Sequence, residues 1–326
     1  MVAMEMIKID RESGIPLIGL AYIGVVLRSN NSLIQVRPTT LCNMNCGFCS
    51  TDAGCNSRHN QYVVELGWLL EWVKAVVEHY EEIDWVHIDS VGEVMMYKDL
   101  FKLIKGLKKI KGVGKVSMVT NGSLLTKDNI KKLEDAGLDK LNISMHSLDK
   151  EKARLLFGTK AYDVDKVIRA VKLVKKTNIE VWLTPVYLPG LNDNDIEELI
   201  KFSMKNNCGI GIQKYEVHKY GRKIKKVKEQ NYFQFYKKLD EWEKRFNVKL
   251  KYGASDIGVR KVKQLPVKLE KGKIYAVSVM KEGWMKGQMI GAAENRAVTL
   301  VDCDKNKGAV IKARVIENKN NIYMVK

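Results

Sequence analysis

No stretch of this 326-residue sequence is long and apolar enough to suggest a membrane span. The most hydrophobic run, IPLIGLAYIGVVL (15–27), is too short to cross a bilayer. It has no signal-peptide charge pattern in front and no small-residue cleavage site behind. Export is thereby argued against, and a cytoplasmic protein with no membrane partner is expected. Cysteine is also scarce. Six residues, at 42, 46, 49, 55, 208 and 303, are too few and too unevenly spread for a disulfide framework in a chain of this size. Internal repeats and low-complexity tracts are missing. A second close pair of zinc-type donors is missing too, so His59, ten residues beyond Cys49, does not complete an ordinary zinc site.

What is present is a chain long enough for one large or two medium domains with a real core. Its 45% hydrophobic and 29% charged content describes a globular protein. The formal net charge is +18, and residues 260–326 carry 15 Lys/Arg against 6 Asp/Glu, so half the excess lies in about a fifth of the chain. Such asymmetry favours a polyanionic partner, the alternative being a merely solvated basic face.

From residue 33 to about 250, short β-branched runs alternate with helical-period segments. LIQVRP (33–38), DWVHIDS (84–90), KVSMVT (115–120), KLNISM (140–145), EVWLTPVYL (180–188) and GIGIQKY (209–215) read as strands. Helices are expected over 65–80, 98–110, 126–137, 162–177, 192–207 and 232–246. Gly137 marks a helix stop, and Asn192 or Asp193 a cap. Six repeats of this alternation give an α/β fold with parallel strands and right-handed crossovers. Periodicity leaves open whether the sheet is open, closed or a partial barrel. The run at 15–27, followed by RSNNS and LIQVR, reads as a hairpin. After KYGASDIGVRKVKQ (251–264), five short strands with turns and no helical period predict a small all-β barrel.

Within TTLCNMNCGFCSTDAG (39–54), Cys42, Cys46 and Cys49 occur at C-x3-C-x2-C spacing. Three thiolates from one loop can converge on a compact metal centre at the C-terminal edge of a parallel sheet. Iron–sulfur clusters usually take four cysteines. Either Cys55 closes the set, or one iron is left open.

The sequence here resembles the radical S-adenosylmethionine (SAM) superfamily over roughly residues 33–220. In that family three such cysteines hold a [4Fe–4S] cluster whose fourth iron is chelated by SAM. The resemblance implies that Phe48 packs near the adenine. SVGEVMMY (90–97) resembles the Gly-Gly-Glu-Pro loop, with Gly92 and Glu93 receiving the methionine ammonium, although Val91 and Val94 depart from that pattern. VTNGSLLT (119–126) supplies Thr120 and Asn121, and LNISMHSLD (141–149) supplies Ser144, as further SAM contacts. LPGLND (188–193) resembles the turn after the fifth strand. The fold implied is a partial (β/α)6 TIM-like barrel. The chemistry implied is reductive cleavage of SAM to a 5′-deoxyadenosyl radical, which needs an electron donor.

The tail resembles the TRAM domain, an RNA-binding barrel of the oligonucleotide-binding type. The expected organisation is thus 1–32 as an N-terminal hairpin extension, 33–250 as the core, 251–265 as a linker and 266–326 as the barrel. Lys281, Trp284, Lys286, Arg296 and Arg314 in the tail are expected RNA contacts. So are Lys223, Lys225 and Lys226 in HKYGRKIKKVK (218–228). The predicted function is modification of a nucleotide in structured RNA, tRNA foremost. The alternatives are a radical SAM enzyme of small-molecule or cofactor biosynthesis, since mid-chain resembles the cyclase that makes the molybdopterin precursor, and an RNA-binding protein with a structural cluster. Cys55, close to the trio, is a candidate catalytic thiol. Cys208 and Cys303 read as small buried residues.

Overall fold

The computed structural model describes residues 6–27, 30–80 and 82–326. Its strands are β1 (Met6–Ile9), β2 (Gly24–Leu27), β3 (Leu33–Arg37), β4 (Gln61–Val64), β5 (Ile83–Ile88), β6 (Val113–Thr120), β7 (Lys140–Ile143) and β8 (Glu180–Leu183). Then follow β9 (Val186–Tyr187), β10 (Gly209–Ile210), β11 (Gln213–Lys214), β12 (Ile274–Glu282), β13 (Met289–Ala293), β14 (Arg296–Leu300), β15 (Val310–Glu317) and β16 (Met324–Val325). The helices are α1 (Leu66–Tyr80), α2 (Leu100–Lys109), α3 (Lys127–Asp135), α4 (Lys150–Phe157), α5 (Val164–Val174), α6 (Asp193–Lys205) and α7 (Tyr232–Phe246). Among the described residues no helix is long and apolar enough to cross a membrane.

The chain divides into two compact units. The first takes the residues up to Leu41, Ser57–Val116 and Val259–Lys326, and the second takes Cys42–Asn56 and Ser117–Gly258. In the first, β2 runs antiparallel to β3 with Gly24 opposite Arg37 and Leu27 opposite Ile34. This is the hairpin that the apolar run at 15–27 predicts; residues 28 and 29 of its turn lie outside the described residues. Strand β3 pairs in parallel with β5, and the order runs β6-β5-β3-β2. In the second unit β6 to β7, β7 to β8 and β8 to β10 are all parallel neighbours. Strands β5, β6 and β7 lead into α2, α3 and α4, while β3, β8 and β10 reach α1, α6 and α7 after the short strands β4, β9 and β11. The result is the expected α/β core with parallel strands.

The helices form because their apolar residues fall on one face. Leu69, Trp72, Val73, Val76 and Val77 of α1 are buried, as are Val164, Val167, Ala170, Val171 and Val174 of α5. Thr126, Asp149, Asp163 and Asn231 accept backbone N–H groups at the N-termini of α3, α4, α5 and α7. Asn192 stands at the expected start of α6, yet its side chain does not cap the helix. Its Oδ1 accepts from the Leu188 N–H at 2.7 Å and its Nδ2 donates to the Val186 carbonyl at 3.0 Å, which ties the LPGLND turn together.

Strands β12-β13-β14-β16-β15 close into a barrel in the first unit. Closure leaves no sheet edge exposed. Its core is Leu269, Val277, Val279, Val298, Leu300, Val315, Tyr323 and Val325 with neighbouring alanines. The barrel is stitched to the N-terminal segment of its own unit. The Ala297 N–H donates to the Ile18 carbonyl at 2.8 Å, and the Tyr323 N–H to the Gly19 carbonyl at 2.9 Å.

Candidate functional site: the three-cysteine loop

The loop Cys42–Asn56 belongs to the second unit, and neighbouring backbone holds it closely. The Asn45 N–H donates to the Phe157 carbonyl at the end of α4, at 2.9 Å. Gly158, the left-handed residue that stops α4, lies so near that a Cβ there would fall 2.0 Å from the Asn45 carbonyl oxygen. Cys42, Cys46 and Cys49 are half-buried thiols, while Cys55 is exposed.

The Cys46 thiol is pushed up by burial, and further by the nearby charges of Cys49 and Cys42, while Arg222 acts in the opposite sense. A lone thiolate is therefore disfavoured here, and a bound cation reverses that balance. Among the described residues no three His, Cys, Asp or Glu side chains gather as a single ion would need; a four-iron cube spreads its thiolates wider. The donor set, three mutually interacting thiols on one held loop, fits such a cluster.

Phe48 is buried in a cluster with Leu156, Leu188 and Tyr215. Its ring meets His146 edge-on at 4.9 Å. Burial pushes His146 down to about 3, and its Nδ1 accepts from the Val186 N–H at 3.1 Å. This histidine is therefore neutral, with the proton on Nε2. Thr120 and Asn121, expected at the cofactor, shape the turn: Thr120 Oγ1 accepts from the Gly122 N–H, and Asn121 Oδ1 from the Ser123 N–H. Asn121 Nδ2 also donates to Asn43 Oδ1 at 2.9 Å, which joins this turn to the cysteine loop. Ser144 is half-buried at the end of β7.

Gly92 and Glu93 lie in the first unit. The Glu93 N–H donates to the Leu41 carbonyl at 2.6 Å, and a Cβ at position 92 would fall 1.9 Å from that same oxygen. Only glycine permits this approach. The buried Glu93 carboxylate accepts from the Met95 N–H at 3.0 Å.

Lys223, Lys225 and Lys226 are exposed. Arg222, inside the same lysine-rich run, is not free. Its Nε donates to the Cys46 carbonyl at 2.7 Å, its Nη2 to the Ala53 carbonyl at 2.6 Å, and its Nη1 pairs with Asp52 at 3.0 Å. Sequence reading missed Arg222, Asn43, His146 and the buried, unpartnered Thr184 hydroxyl. An arginine among five lysines was the one signal present.

In the barrel Lys286 and Arg314 are exposed, and Lys281 Nζ donates to the Lys8 carbonyl at 3.0 Å. Trp284 does not stand free. Its half-buried ring stacks on Tyr22 at 5.3 Å and meets His59 at 4.8 Å. Arg296 turns inward and is only 7% exposed, because every residue of β14 is buried.

The sequence profile of the radical SAM superfamily matches residues 36–203. An uncharacterised protein of Methanocaldococcus jannaschii is 33% identical over 95% of this chain and 78% of its own length. A probable GTP 3′,8-cyclase of Saccharolobus islandicus is 33% identical over 58% of this chain and 58% of its own. Among solved structures, SuiB of Streptococcus suis gives a TM-score of 0.51 at 18% identity, covering 74% of this chain and 51% of that one. Its SAM-bound form gives 0.50 at 17%, covering 79% and 53%. The chain thus spans little more than half the length of the cyclase or of SuiB, and the structural likeness concerns the fold. The parallel α/β core, the C-x3-C-x2-C loop and the profile match together make this chain an enzyme of the radical SAM superfamily, with a [4Fe–4S] cluster and SAM as its cofactors.

Proposed function

We propose that the enzyme modifies a nucleotide in structured RNA, tRNA foremost. Cys42, Cys46 and Cys49 would hold three irons of the cluster, and SAM would complete the fourth. When bound, these groups supply a 5′-deoxyadenosyl radical that abstracts hydrogen from the substrate. Phe48 and the Thr120–Asn121 turn would border the nucleoside end of SAM, Ser144 would contact it, and Glu93 would receive its ammonium group.

One observation carries the RNA reading: the exposed lysines Lys223, Lys225 and Lys226 directly follow Arg222, whose backbone N–H donates to the Cys49 carbonyl of the cysteine loop at 2.8 Å. The closed barrel supports it. Its outward Lys286, Lys312 and Arg314 suit phosphates, as a TRAM-like fold would require. Total tRNA should bind with an affinity that collapses as salt rises. Replacing the three lysines by alanine should lower the log–log salt slope by about 2–3. Weak binding that ignores salt would end the RNA reading.

The likeness to a probable GTP 3′,8-cyclase favours a second reading, in which the substrate is a free purine nucleotide. Anaerobic turnover with GTP in place of tRNA, followed by formation of 5′-deoxyadenosine, separates the two.

A further inference from the structure

The segment that follows β11 carries the strongest unassigned feature of the second unit. Besides the three side-chain bonds already described, the Arg222 N–H donates to the Cys49 carbonyl at 2.8 Å. A single residue thus engages the carbonyls of two cluster cysteines, the carbonyl of Ala53 and the carboxylate of Asp52. Asp52 is 2% exposed and lies in the left-handed region at φ 52. Neighbours reinforce the contact. A Cβ on Gly221 would fall 2.7 Å from the Ser50 carbonyl oxygen, and Ile224 packs with Cys46 and Phe48.

We infer that Arg222 is a positioning residue that fixes the loop carrying Cys46 and Cys49 in cluster-ready form. The chemistry explains the choice of arginine. Three acceptors stand around one planar cation, and only a guanidinium can donate to all of them at once. A lysine supplies the same charge from a single nitrogen and cannot span them. Two effects are therefore separable: the fork holds geometry, while the charge favours electron gain by the cluster, whose thiolates and sulfides are anionic.

The test uses the anaerobically reconstituted holoenzyme with Arg222→Lys and Arg222→Met. Far-UV circular dichroism checks the fold. The readouts are iron and sulfide per chain, the rate of cluster loss to EDTA, the electron paramagnetic resonance spectrum of the reduced cluster, and its midpoint potential. Both variants should lose their cluster to EDTA about tenfold faster than the parent. The potential should fall in Arg222→Met and stay near the parent value in Arg222→Lys. If Arg222→Met does not fold, Asp52→Asn replaces it; it leaves the carbonyl bonds in place and should speed cluster loss by about threefold. Parent-like cluster loss in Arg222→Met, or in Asp52→Asn where it stands in, overturns the inference, as does full rescue of cluster retention by lysine.

Discussion

Two glycines in the second unit allow the packing of the cysteine loop to be measured separately from backbone strain. Gly158 has φ +65 and Gly190 has φ +76, so each is left-handed and each would strain an alanine by about 1–2 kcal/mol. Their surroundings differ. A Cβ at 190 would meet nothing within 4 Å, whereas at 158 it would fall 2.0 Å from the Asn45 carbonyl oxygen and 2.7 Å from its carbon. No rotamer change relieves a collision with backbone, so Gly158→Ala adds an overpacking cost of about 1–3 kcal/mol. The expected totals are about 1–2 kcal/mol for Gly190→Ala and about 2–5 kcal/mol for Gly158→Ala. Urea unfolding of the apoprotein measures both, with an unchanged slope confirming that the unfolded states are comparable. Asn45 lies between Cys42 and Cys46, so Gly158→Ala should also bind less iron, and Gly190→Ala should not. Equal destabilisation, or equal iron content, would refute the claim that α4 props the loop through that contact.

Replacing Cys42, Cys46 or Cys49 by alanine should abolish cluster assembly. Cys55→Ser should retain the parent iron and sulfide content and the spectral response to SAM; loss of the cluster in that variant would make Cys55 the fourth ligand. His146, held at about 3 when folded against an ordinary 6.5, binds fewer protons folded than unfolded in the acid range. Stability should therefore fall as pH drops from 6.5 toward 3, by up to about 1.4 kcal/mol per pH unit, and His146→Gln should flatten that slope in urea titrations. Tyr323→Phe removes the donor to the buried Asn321 Oδ1 and the acceptor of the Lys268 N–H. A loss of about 1–3 kcal/mol is expected, read as a lowered melting temperature.

Much of this was legible because it is periodic. Strands β3, β5, β6 and β7 and, among the described residues, six of the seven α-helices follow from apolar spacing alone, and the tail reads as five strands. Helix α4 escaped notice: it is eight residues long and buries only Ala153, Leu156 and Phe157, too few for a period to emerge. Its cap Asp149 and its stop Gly158 were the available signals. The cysteine trio was legible because its ligands are adjacent in sequence. Arg222 was not, since its partners lie about 170 positions away and only folding brings them near. Arg296 misled for a similar reason. A charged residue at a strand start reads as outward, but β14 is buried along its whole length while β12 and β15 alternate.

The barrel borrows from a segment far from it in sequence. Ile18 and Gly19 offer their carbonyls to donors at Ala297 and Tyr323, and a Cβ on Gly19 would strike the Ala297 oxygen at 1.8 Å. During synthesis Ile18 and Gly19 find those partners only once the barrel strands have been made and folded. Contacts so distant in sequence make such assembly slow. Trimming the final strands would not simply remove a module; it would leave Ile18, Gly19 and Tyr22 uncovered.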